Sequence, residues 1–214
     1  MENKRLKVAM LCHFSNPKVQ TKLNLRLCFL EKLSRQLMHR NVNPNEIVGE
    51  YTFHVTNGLN EFEKYTDEVE LHVISAHPFI TGNLQEFELD GINYHFFQDE
   101  CRTFRRVFAR KFFEYKDTKQ FKWNRKYIAK LIKKIQPDIA YMIGIEGPFY
   151  GLSALDLPKE IPLIVQLQTL MCDPDFEKNY PISHEDYLFR SGVEVDILKR
   201  ADYIGTNIAK FLNV

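Results

Sequence analysis

The chain has 214 residues, 44% of them apolar and 27% charged, with a formal net charge of +1. That balance excludes bulk disorder and gives no global electrostatic case for a nucleic-acid binder or an enzyme of acidic substrates. The longest uninterrupted apolar runs, such as Val8 to Cys12, are far too short to span a bilayer.

Lys7 to His13 reads as a first strand, apolar without alternation, as a strand covered on both faces should be. Helices are expected between Thr21 and His39 and over Thr52 to Lys64, with a loop at Asn41 to Asn45 around Pro44. Further buried strands are expected at Val69 to Ser75, Asp138 to Ile145, Pro162 to Leu167 and Asp202 to Gly205. Another, Ile92 to Phe97, follows the Asp90-Gly91 turn. Between Gln120 and Gln136, Ile128, Leu131, Ile132 and Ile135 fall at helical spacing with lysines opposite, and Pro137 ends the pattern. His184 to Arg200 also reads helical. Alternating strands and helices imply parallel pairing with right-handed crossovers. The expected fold is therefore α/β, a single Rossmann-like domain over residues 1–214 with a doubly wound, mostly parallel sheet of about six strands.

In such a sheet, ligands bind beyond the carboxyl ends of the strands. That rule selects four loops, at His13 to Pro17, Ala76 to Phe79, Gly144 to Phe149 and Gln168 to Met171. No Gly-x-Gly-x-x-Gly follows the first strand and no P-loop is present, which counts against dehydrogenases and P-loop phosphotransferases. His-Glu-x-x-His and Gly-x-Ser-x-Gly are absent too, so zinc and serine hydrolases lose support. Asp173-Pro174-Asp175 spaces two carboxylates as a divalent cation would need, yet such a pair is common by chance among 28 acidic residues and reads as a solvated turn, so no metal is assigned. Four cysteines far apart (Cys12, Cys28, Cys101, Cys172) argue for reduced thiols in a cytosolic protein.

The order of elements resembles the N-terminal domain of GT-B retaining glycosyltransferases of family 4. The resemblance is carried by Ile132-x-x-Ile135-x-Pro137-Asp138-Ile139-Ala140-Tyr141, then Gly147-Pro148-Phe149-x-Gly151-Leu152. Ile161 to Gln168 and Leu198 to Thr206, with its Arg200-Ala201-Asp202, continue it. The resemblance implies the acceptor-side half of a clamshell, with a donor-binding second domain outside this chain and little activity for the half alone. It implies transfer of a sugar from a nucleotide-sugar donor to a glycan or lipid-linked acceptor, with no essential metal and no cofactor. Ser15 and Asn16 would approach the transferred group, Glu146 and Gly147 would line the cleft, and Gln168 with Thr169 would orient sugar hydroxyls. Ser15-Asn16-Pro17 stands where the family carries a double glycine, and Gln168 where it often carries a histidine. Glutamine hydrogen-bonds a hydroxyl but does not shuttle protons at neutral pH, so no general base is assigned.

From Cys101 to Lys134 there are 13 Lys/Arg against Glu114 and Asp117, a local +11 that leaves −10 for the rest. Phe104, Val107, Phe108, Phe112 and Tyr115 fall at helical spacing within it. Three readings compete. One is a core-facing helix with a solvated basic face. The second is a peripheral membrane or lipid-linked-acceptor surface formed by Arg102, Arg105, Arg106, Arg110 and Lys111, which would place the protein at the inner face of a membrane. Nucleic-acid binding is the third, and no recognised module supports it. A non-catalytic interaction module docking on a membrane or an acidic partner through this segment is the alternative to the enzyme.

Overall fold

The computed structural model describes residues 4–13, 16–48, 53–100, 120–179 and 182–206. The strands are β1 (Leu6–Cys12), β2 (Val69–His77), β3 (Leu84–Leu89), β4 (Ile92–Gln98), β5 (Ile139–Ile143), β6 (Leu163–Leu167) and β7 (Tyr203–Thr206). They form one sheet in the order β3-β4-β2-β1-β5-β6-β7. Every pairing is parallel except β3 with β4. Without the β3 hairpin strand, the order is that of a doubly wound Rossmann-like sheet, as the alternating pattern predicts.

The helices are α1 (Pro17–Gln20), α2 (Phe29–Leu37), α3 (Pro44–Val48), α4 (Phe53–Phe62), α5 (Lys122–Ile135), α6 (Pro148–Gly151), α7 (Pro174–Asn179) and α8 (His184–Arg200). Two expectations are corrected. Among the described residues the sheet has seven strands rather than about six, and the expected loop at Asn41 to Asn45 ends at Asn43, where α3 begins with Pro44, a residue preset for a first helical turn.

β1 shows why the central strands read as unbroken apolar runs. Val8, Met10 and Cys12 belong to the core on one face, with Val19, Val55, Leu59, Leu71 and Val73. Ala9 and Leu11 belong to the core on the other, with Ile128, Leu131, Ile132, Val165 and Ile197. Side chains alternate across a strand, so both faces must be apolar when helices cover both. Truncating Leu11, which is fully buried, to alanine should cost about 2–5 kcal/mol. α5 ends as Pro137 requires: Gln136 takes a left-handed conformation at φ 51° and donates its N–H to the Ile132 carbonyl at 2.9 Å.

On one face, His72 of β2 and His95 of β4 meet through Nδ1 and Nε2 at 2.9 Å. Glu70 contacts the outer nitrogen of His72 at 2.9 Å, and Glu86 that of His95 at 2.6 Å. Lys134 closes the chain on Glu86 at 2.8 Å. This polar line crosses the sheet away from its carboxyl rim.

Candidate functional site

β2 and β4 step away from β1 on one side, and β5, β6 and β7 on the other. The direction reverses between β1 and β5, so the switch point lies at their carboxyl ends, where a crevice opens in sheets of this type. The loops leaving β1, β2, β4, β5 and β6 place His13, His77, Asp99, Glu146 and Gln168 along that rim.

Glu146 is positioned by a turn that needs glycine. Gly144 has φ +70°, and a Cβ there would stand 2.8 and 2.9 Å from the two Glu146 carboxylate oxygens and 3.1 Å from the Tyr150 hydroxyl. The Glu146 side chain thus folds back over the Gly144 Cα, a space that any other residue would fill. Tyr150, in α6, donates its hydroxyl proton to the Ile143 carbonyl at 3.0 Å. Burial, with Glu146 adding to it, holds the Tyr150 phenol well above its ordinary range and so neutral. Glu146 Oε2 is buried and has no hydrogen-bond partner among the described residues.

Gln168 follows the carboxyl end of β6, and its Nε2 is likewise buried without a partner among the described residues. Downstream, Glu194 of α8 fixes the loop by accepting the N–H groups of Met171 at 3.0 Å and Cys172 at 2.8 Å. Burial raises the Glu194 carboxyl, and Glu146 adds to the rise against these hydrogen bonds.

His77 closes β2. Its Nδ1 accepts the Phe79 N–H at 3.2 Å, which puts the ring proton on Nε2. That nitrogen is buried with no partner among the described residues. Burial, with His13 nearby, lowers His77 to about 4. His13 is lowered by burial against the pull of Asp99, and its ring meets Phe149 edge-on at 5.3 Å. Asn124, fully buried at the start of α5, ties three of these segments together. It donates to Asp99 Oδ1 and to the Phe149 carbonyl, both at 3.0 Å, and accepts the Glu100 N–H at 3.0 Å.

Among the described residues, the rim therefore offers the Glu146 carboxylate as an acceptor and the Gln168 and His77 N–H groups as donors without protein partners. Burying a polar atom without a hydrogen bond costs about 1–3 kcal/mol. Hydroxyl groups suit the set, since a hydroxyl donates to Glu146 and accepts from Gln168 or His77. Neighbouring parallel strands lie about 4.8 Å apart, so a ligand of monosaccharide size reaches from the β5 loop to the β6 loop.

The other expected site residues divide. Gly147 lies beside Glu146, where a Cβ would meet the Phe149 and Tyr150 rings at 2.7 and 2.9 Å. Thr169 is half-buried next to Gln168. Asn16 is occupied as a cap: its Oδ1 accepts the Lys18 N–H at 2.8 Å, and its Nδ2 donates to Thr56 Oγ1 at 3.3 Å. Ser15 lies outside the described residues, as do Arg102, Arg105, Arg106, Arg110 and Lys111. Asp173 Oδ1 accepts the Asp175 N–H at 3.0 Å, the geometry of a turn leading into α7. Sequence reasoning reached His77 only as part of the Ala76 to Phe79 loop and did not single out Asn124 or Glu194. For His77 the available signal was a histidine closing a strand-like stretch at the rim.

A groove of about 440 Å³ runs elsewhere, between α5 and the 3-10 turn Leu152–Asp156. Ile128, Ile132, Gln136 and Pro137 line it, with Lys133 and Asp156 at its polar positions. Asp156 is already engaged by Arg125 at 2.5 and 2.6 Å, and no acid–base set converges there among the described residues. The sequence matches no protein-family model and no curated protein. Among the described residues, no helix is long and apolar enough to cross a membrane, and no group of three or more His, Cys, Asp or Glu could hold a metal ion.

Proposed function

We propose that this chain is the acceptor-side domain of a glycosyltransferase, cytoplasmic and working at the inner face of a membrane. Joined to a donor-binding domain, it would transfer a sugar from a nucleotide-sugar to a glycan or lipid-linked acceptor. The supporting observation is the pair of buried atoms on adjacent rim loops that have no partner among the described residues, Glu146 Oε2 and Gln168 Nε2. One accepts, the other donates, and acceptor hydroxyls satisfy both. On this reading the residues bind and orient, and their contribution to rate is positional. Gln168 and the neutral His77 donate to hydroxyl oxygens, Glu146 takes a hydroxyl proton in a hydrogen bond, and Gly144 keeps the space that Glu146 occupies.

The test is capture of the chain by immobilised glycans and lipid-linked sugars. Wild type should bind a subset, and Glu146→Ala or Gln168→Ala should each weaken binding about tenfold or more, the scale of one hydrogen bond involving a charged or buried partner. Equal capture of all three proteins, or no saccharide captured by wild type, contradicts the reading.

A further inference from the structure

α2 is a nine-residue helix with no buried residue. Phe29, Leu30, Leu33 and Leu37 fall on one side of it at helical spacing and are 77%, 49%, 41% and 74% exposed. A surface helix of a globular domain ordinarily turns such a stripe into the core. Here the helix is tethered at its ends instead. Before it, Leu25 bridges Ile80, Arg26 N–H donates to the Phe79 carbonyl at 2.7 Å, and Leu27 packs on Phe79; beyond it, Val42 and Ile47 pack on the same small cluster. Phe79 lies in the loop leaving β2, so α2 stands beside the carboxyl rim.

The charge around the stripe indicates what covers it. From Lys18 to Arg40 the chain carries six Lys/Arg and one acid, Glu31. Lys18 is held by Asp90, and Arg35 is paired with Glu31 at 3.3 Å. Lys22, Arg26, Lys32 and Arg40 are exposed, with no ion-pair partner among the described residues. An apolar stripe beside unpaired cations is the pattern of a helix lying in a lipid–water interface. A second copy of the chain fits poorly. Nine helical residues extend about 14 Å, far short of the roughly 800 Å² per partner of a stable interface, and two such helices would oppose like charges.

We propose that α2 docks the domain on an anionic lipid bilayer, with Phe29, Leu30, Leu33 and Leu37 entering the interface and Lys22, Arg26, Lys32 and Arg40 meeting lipid phosphates. This surface is independent of glycosyl transfer, and its residues are other than those of the basic segment from Cys101 to Lys134.

The test is co-sedimentation with vesicles of phosphatidylcholine alone or containing about 30% phosphatidylglycerol, a content at which interfacial cations contribute strongly. Wild type should pellet at least tenfold more with the anionic vesicles. The double variant Phe29→Ser/Leu37→Ser should lose that binding at low and high salt. Lys32→Glu/Arg40→Glu should lose it while retaining the wild-type circular dichroism spectrum. Anionic-vesicle binding unchanged by either variant would place docking elsewhere and overturn the proposal, as would equal pelleting with both vesicle types. A dimer abolished by the same substitutions, with no vesicle binding, would assign the stripe to a second copy instead. Glycan capture by the α2 variants should equal that of wild type, so this proposal and the rim reading fail separately.

Discussion

Glu194 reaches from the middle of α8 to the loop after β6 and accepts the Met171 N–H at 3.0 Å from a completely buried position. The Cys172 N–H joins it at 2.8 Å. Two backbone donors are thereby satisfied by one carboxylate on another element, and the loop that presents Gln168 is fixed by α8.

Glu194→Ala should destabilise the domain by about 2–4 kcal/mol, because both amides lose their partner in the interior. Glu194→Gln should cost less, since an amide oxygen still accepts and burial already disfavours the ionised carboxylate. Urea unfolding measures both. Equal losses would mean that packing, rather than acceptance of the amides, is what Glu194 supplies.

Gly144→Ala should cost about 1–3 kcal/mol, from its positive φ and from the collision with Glu146. Its larger effect should fall on the site, because the carboxylate must vacate the space over residue 144. Thermal unfolding together with glycan capture checks this. Wild-type capture at reduced stability would separate the turn from the site.

Acid should weaken the fold as pH falls below about 6.5. An unfolded histidine binds its proton near pH 6.5, whereas burial holds folded His77 at about 4 and keeps His13 and His95 below their ordinary value. Between those pH values the unfolded chain binds more protons than the folded one. Stability is therefore complete above about pH 6.5 and falls as pH drops toward 4, by about 3 kcal/mol from His77 alone. Urea midpoints at pH 7.5 and 4.5 measure the slope, and proton NMR of the His77 ring gives its titration directly. A ring that titrates near 6.5 contradicts the burial argument.

The parallel strands were legible where double-sided burial writes an unbroken apolar run, as over Val8 to Cys12 of β1. The expected span His184 to Arg200 matches α8; in the structure Ser183 caps its start, accepting the Asp186 N–H at 3.2 Å, and Ala201-Asp202 leads out into β7. β3 escaped notice. Its residues Leu84–Leu89 alternate with Glu86 and Glu88, form an antiparallel edge and are only partly buried, so no apolar run marks them. The rim loops were placed by the rule for doubly wound sheets, and Glu146 and Gln168 came with them. Asn16 shows the limit of that rule, since position alone does not reveal that a rim side chain is spent on capping a helix. Asn124 and Glu194 were hidden for the opposite reason. Their partners are backbone groups of distant segments, which no local spacing encodes.

Asn124→Ala should cost about 2–4 kcal/mol, as it removes three hydrogen bonds joining the end of β4, the start of α5 and the start of α6. Asn124→Asp should do no better, because a second carboxylate would face Asp99. Denaturant titration gives both values, and a cost below about 0.5 kcal/mol would show that the junction holds without this side chain.

The most direct measurement is amide NMR of the labelled chain during titration with a saccharide selected by glycan capture. Shifts concentrated at Gly144 to Gly147 and at Gln168 and Thr169, and abolished by Gln168→Ala, are the predicted result. Shifts confined to the groove between α5 and Leu152–Asp156, or none at saturating saccharide, would contradict the assignment of the carboxyl rim as the binding site.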